Sequence, residues 1–147
     1  MKRLAALILI LCLFPLCVSA DTNLYAAFFR SYCDMYGFPA PPEPITTATA
    51  MLYDTPDYRI VVSCKSGDPD AVLVTYKKPF DYDFVTLAYC ASAAFMPGDY
   101  QTPLLMSFVK YDGSTGVAFT ADRTGAVLFQ ETEEGFPQIF FTMDSGL

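Results

Sequence analysis

Between Phe84 and Met96 only Thr86 and Ser92 are plainly polar. A helix of that composition shows apolar surface on nearly every side, so other elements must surround it and it belongs at the centre of a domain. Asp81 or Asp83 can cap its start, and Pro97-Gly98 stops it. The rest of the chain has to supply the cover.

Thr22 to Tyr36 reads as a first helix. Leu24, Phe28, Ser31 and Met35 form one stripe and Tyr25, Phe29, Cys33 and Tyr36 the next, a wide aromatic face for a core, with Gly37 where a helix usually stops. Residues 38–44, rich in proline, forbid helix and central strand alike and read as an extended connector. Ile45 to Tyr53 reads as a strand closed by the turn residues Asp54-Thr55-Pro56-Asp57. From Arg59 to Lys65 the alternation places Ile60, Val62 and Cys64 on one face and Arg59, Ser63 and Lys65 on the other. Ser66 to Asp70 turns the chain, and the unbroken apolar run in Ala71 to Tyr76 predicts a strand buried on both faces. After the central helix, strands are expected over Leu104 to Tyr111, Gly116 to Ala121 and Ala126 to Glu131, joined by turn signals at 112–116 and 122–125. Glu133-Glu134-Gly135 turns again, and Ile139 to Met143 adds a strand expected at an edge because Pro137 lies beside it.

The pattern predicts a single α+β domain: an antiparallel sheet of about six strands with two helices on one face, in the order α-β-β-β-α-β-β-β(-β). It has the look of one unit used twice. Cys33 and Cys90 hold similar places in the two helices, and Asp70-Ala71-Val72-Leu73-Val74 echoes Gly125-Ala126-Val127-Leu128-Phe129.

Residues 1–20 read as an address. Lys2 and Arg3 precede an apolar run from Leu4 to Cys17, and Val18-Ser19-Ala20 offers a small-x-small cleavage site. The run is shorter than the roughly twenty residues a membrane-spanning helix needs. The chain is therefore expected to be exported as residues 21–147, one domain's worth, with no membrane-spanning segment left after cleavage. The leader's short, strongly apolar style suggests a bacterial source.

Seven of the nine basic residues and all sixteen acidic ones follow Ala20, which leaves a net charge of −9. Arg30, Arg59, Lys65, Lys77, Lys78, Lys110 and Arg123 are scattered apart from one pair, so nucleic acid is not an expected partner. The charge suits a soluble exported protein. Cys33, Cys64 and Cys90 remain after the leader, and three thiols cannot all pair within one chain. Either two of them bond and one stays reduced, or all three are core thiols, and spacing does not choose.

The chain has no histidine. This excludes Ser-His-Asp and Cys-His catalysis, histidine-ligated zinc and histidine pH switches. Carboxylates remain, in the sets Asp54 and Asp57, Asp68 and Asp70, Asp81 and Asp83, and Glu131, Glu133 and Glu134. A glycosidase needs only two carboxyls at a suitable separation. Each set also has a structural reading as turn, cap or solvated hairpin end, and neither Asp68-Pro69-Asp70 nor Asp81-Tyr82-Asp83 makes a complete calcium loop. No catalytic, cofactor or metal residue is assigned.

The mature chain carries ten tyrosines and twelve phenylalanines. Tyr53, Tyr58, Tyr82, Tyr100 and Tyr111 fall at turns or helix flanks and could form a contact surface. The sequence thus predicts a non-enzymatic exported domain that binds a protein or cell-envelope component through an exposed sheet face or tyrosine-rich loops. The alternative is a carboxylate-dependent hydrolase using Asp81 and Asp83. Intact-mass measurement of secreted protein should give a chain beginning at Asp21, and a membrane-bound chain that keeps Met1 to Ala20 would overturn export.

Overall fold

The computed structural model describes residues 24–96, 98–110 and 115–144; the expected leader (1–20), Thr22, Pro97, Tyr111 and the turn signal at 112–114 lie outside them. The first helix, α1 (24–35), closes as expected at Gly37, which takes φ 69°. Gly37 N–H donates to the Asp34 carbonyl and Phe38 N–H to the Cys33 carbonyl, the paired bonds that satisfy the last turn of a helix. Tyr25, Phe29 and Cys33 enter the core, whereas Leu24, Phe28 and Met35 are exposed. Only one of the two stripes is a core face.

Seven strands follow the order β1 (Ile45–Thr46), β2 (Ala50–Asp54), β3 (Tyr58–Lys65), β4 (Asp68–Tyr76), β5 (Thr115–Phe119), β6 (Ala126–Glu131) and β7 (Pro137–Thr142). They form one antiparallel sheet in the spatial order β1-β2-β3-β4-β7-β6-β5. Two meanders, β2-β3-β4 and β5-β6-β7, therefore meet where β4 pairs with β7. The meander is used twice, yet the sequence echo falls on β4 and β6, which hold different places in the two units.

Ile45 to Tyr53 is two strands and not one. Thr47 Oγ1 accepts from the N–H groups of Thr49 and Ala50 and donates to the Ala50 carbonyl, building a turn from a hydroxyl where no Gly, Asn or Pro announces it. At Ser66-Gly67 both residues have positive φ, 58° and 93°, the backbone of a tight two-residue hairpin. The expected core face of β3 is confirmed: Tyr58, Ile60, Val62 and Cys64 are buried and Arg59, Ser63 and Lys65 exposed. In β4 only Val72, Val74 and Tyr76 are buried, so burial on both faces does not occur; Ala71, Leu73 and Thr75 stay half-buried on the far side.

The central helix, α2 (Tyr82–Phe95), is capped by Asp81, whose Oδ1 accepts from Phe84 N–H at 3.0 Å. Phe84, Leu87, Ala88, Cys90, Ala91, Ser92, Ala93 and Ala94 are all buried, whereas Tyr82 and Asp83 are exposed and Val85, Thr86 and Tyr89 half-buried, so one stripe of the helix expected to be surrounded stays uncovered.

Leu104 to Tyr111, expected as a strand, lies largely in a third helix, α3 (Gln101–Lys110). Its first i→i−4 bond runs from Leu104 N–H to the Tyr100 carbonyl. Pro103 sits inside the first turn, where the missing N–H has no partner to lose. Burial at Pro103, Leu104 and Ser107, with Leu105 and Met106 exposed, follows a helical period. A short apolar run does not reveal its period until something covers one side of it.

Strand β7 is central, not at an edge. Pro137 is its first residue, where proline is tolerated, and Ile139 and Phe141 point to the core while Phe140 takes the opposite face. Buried side chains from β2, β3, β4, β6 and β7 form one cluster with those of α1, α2 and α3, and α3 also packs on β5, so all three helices lie on one face of the sheet. Tyr100 closes this layer at one end: its hydroxyl donates to the Thr142 carbonyl at 2.7 Å, and a Cβ built on Gly125 would lie 2.5 Å from that hydroxyl.

Leu87 is fully buried at the middle of α2. Leu87→Ala should lower the unfolding free energy by about 2 to 5 kcal/mol in urea denaturation, and Leu87→Asp should abolish folding. Normal folding of Leu87→Asp would mean that α2 is not enclosed.

Candidate binding surface and acidic clefts

With three helices on one side, the other face of the sheet has no layer over it among the described residues. Strand register aligns Ile45, Leu52, Val61, Leu73, Phe140, Leu128 and Val117 side by side, one from each strand. At ~4.8 Å between strands this apolar row runs about 29 Å across the open face. Ile45 is exposed and the other six are half-buried. An antiparallel sheet with a solvated face ordinarily carries polar residues there.

The row is bordered by a polar one: Asp54, Arg59, Thr75, Gln138, Gln130 and Thr115. Its members bond to one another across the strands. Arg59 donates to Asp54 at 2.9 Å and Lys77 to the same carboxylate at 2.7 Å. Gln130 donates to Gln138, and Gln138 to Thr75, each at 2.8 Å. These bonds tie the amide and guanidinium groups to one another beside the apolar row, so the face is striped.

The helical side carries a second exposed apolar site. Tyr36, Tyr82, Val85, Thr86 and Tyr89 line an open cleft of about 340 Å³. Tyr36 and Tyr89 meet edge to face at 5.0 Å, and Tyr82 is 82 % exposed. Of the tyrosines expected at the surface, Tyr82 alone is exposed among the described residues. Tyr53, Tyr58 and Tyr100 are buried in the core, and Tyr111 lies outside the described residues. Burial pushes the phenols of Tyr58 and Tyr100 up to about 12. Placement beside a turn identifies where a ring starts but not which way it points.

The carboxylate sets are engaged separately. Asp54 pairs with Arg59 and Lys77, and Asp57 with Lys78 at 2.9 Å. Asp68 and Asp70 stand near the Cys64 thiol; burial, then the charges of Asp70 and Asp68, push that thiol up. Asp81 is occupied as helix cap and accepts from the Tyr76 hydroxyl at 3.2 Å, while Asp83 lies exposed in the first turn. Glu131, Glu133 and Glu134 are solvated. Asp81 and Asp83 thus do not face each other across a cleft.

A different pair, Asp99 and Asp122, lines a cleft of about 510 Å³ between the start of α3 and the β5–β6 turn. The sequence offered no sign of it, because the two residues lie in separate turns that folding brings together. Asp122 accepts from Thr120 Oγ1, Thr124 N–H and Thr124 Oγ1 at 2.7, 3.0 and 2.8 Å. The Thr120 hydroxyl first, then the two Thr124 donors, hold its carboxyl below the usual range, opposite to what a general acid needs. Among the described residues no three His, Cys, Asp or Glu side chains converge to hold a metal ion.

Cys33 of α1 and Cys90 of α2 are fully buried in the same core cluster, and all three described thiols are free.

No protein-family model matches this chain, and no curated protein or solved structure matches it.

Hydrogen bonds from Arg59 and then Lys77 hold the Asp54 carboxyl down at about 2. A depressed carboxyl stabilises the fold above its unfolded value, and that contribution is lost as pH falls towards 2. NMR titration should place Asp54 near 2, and Asp54→Asn should flatten the stability profile between about pH 4 and 2. A midpoint at the ordinary carboxylate value would show that the polar row does not form in solution.

Proposed function

We propose that this chain is an exported, non-enzymatic binding domain, and that it engages a protein or cell-envelope component through the open face of its sheet. The observation that supports this reading is the seven-residue row from Ile45 to Val117, one apolar side chain from every strand, on the face without helices. A partner laid flat on the row gains apolar burial at about 25 cal/mol per Å² and finds fixed donors and acceptors along one border. The leader-like residues 1–20 and the net charge of −9 after Ala20 support the exported location.

The competing reading is a carboxylate hydrolase. It loses support at Asp81, whose oxygens serve the helix cap and the Tyr76 hydroxyl, and moves to the Asp99 and Asp122 cleft. There the depressed Asp122 carboxyl suits a permanent anion, not a proton donor.

The test is cross-linking at the native cell surface with wild type, a Leu73→Thr/Leu128→Thr variant and Tyr82→Ser. Threonine keeps β propensity, so the double variant should unfold cooperatively within about 2 kcal/mol of wild type. It should lose the cross-linked partner that Tyr82→Ser retains. Retention by the threonine variant, or glycoside turnover abolished by Asp99→Asn, would overturn the sheet-face reading.

A further inference from the structure

The Cys33 and Cys90 thiols come from helices on either side of the first meander and are both fully buried in one core cluster. Their surroundings hold the helices in this alignment. Tyr25 of α1 donates to the Ala91 carbonyl at 3.3 Å, next to Cys90, and Tyr36 packs on Tyr89 on its other side. Cys64 is on β3, with Asp68 and Asp70 near its thiol. We propose that Cys33 and Cys90 close as a disulfide that fastens α1 to α2, leaving Cys64 reduced.

The bond would enclose residues 33–90, and so β1 to β4, in one covalent loop. Closing a loop of that length removes much of the unfolded chain's freedom. The thiolate of one of the two cysteines displaces one thiolate from a disulfide-class oxidant, and the other then attacks the mixed disulfide and releases the second. Two protein thiols give one S–S bond, and the oxidant's S–S bond takes the two electrons and two protons to become two thiols. Because neither sulfur is exposed, the exchange takes place as the chain folds or when α1 lifts. The oxidising surroundings that the bond needs in the cell rest on the proposal of export.

Trypsin separates the candidates, because the basic residues place Cys33 in 31–59, Cys64 in 60–65, Cys90 in 78–110 and both leader cysteines in 4–30. The protein is refolded in a buffer of reduced and oxidised glutathione, alkylated, and mapped without reduction. Peptides 31–59 and 78–110 should appear joined, with Cys64 alkylated. Reduction should lower Tm by on the order of 10 °C in wild type and leave Cys33→Ala unmoved. A linkage involving Cys64 or the 4–30 peptide, or free Cys33 and Cys90 after refolding, would overturn the bond even where Cys33→Ala fails to fold. Native cells yielding both thiols reduced, when the same protein closes in glutathione buffer, would instead overturn export.

Discussion

Phe84 is the ring on which the two halves of the sheet depend. It packs on Tyr76 at the end of β4, in the first meander, at 5.7 Å, and on Phe129 of β6, in the second, at 5.9 Å. Phe80 and Phe108 complete a cluster in which all six pairs among Phe80, Phe84, Phe108 and Phe129 lie 5.0 to 6.1 Å apart. Such pairs each contribute about 0.5 to 1.5 kcal/mol beyond area burial. Here they join α2, its preceding loop, α3 and β6 at one point. The β4–β7 ladder supplies the hydrogen bonds between the meanders, and this cluster supplies the packing.

Gathering three helices on one face leaves the opposite face of a seven-stranded sheet open. The chain is rich in phenylalanine and tyrosine, and the core takes most of the tyrosines that local sequence placed near the surface. What remains outside is organised by strand register: an apolar row beside a hydrogen-bonded polar one on the sheet, and a tyrosine cleft on the helices. The sheet row is the more extended of the two and is held by backbone ladders on both sides, so it meets a partner with little to reorganise.

Much of the fold was legible along the chain because its signals are local. Gly37 ends α1, Asp81 caps α2, Ser66-Gly67 turns a hairpin and the alternation in β3 assigns a face, each within a few residues. The misreadings have two causes. In 45–53 a threonine hydroxyl makes the turn, in 104–110 a short apolar run has no visible period, and at Pro137 a tolerated first position resembles an edge. In the last two cases the deciding partner lies elsewhere, β5 and β6 against α3 and β4 and β6 on both sides of β7, while in the first it is a local hydroxyl bond that residue type does not announce.

The candidate surface was legible only as a kind. Alternating and unbroken apolar strands implied a sheet with something on both faces, but not that Leu73, Phe140 and Leu128 would stand abreast, since that depends on the register of strands more than fifty residues apart. By itself the sequence determined a domain built on a largely buried apolar helix, an acidic balance and a chemistry without histidine, because composition and local periodicity act without knowledge of partners. Tertiary structure alone decided which face the helices cover, which tyrosines are buried, and that Cys33 and Cys90 share one core and Asp99 a cleft with Asp122. Those are pairings between distant residues, and only packing and strand register bring such residues together.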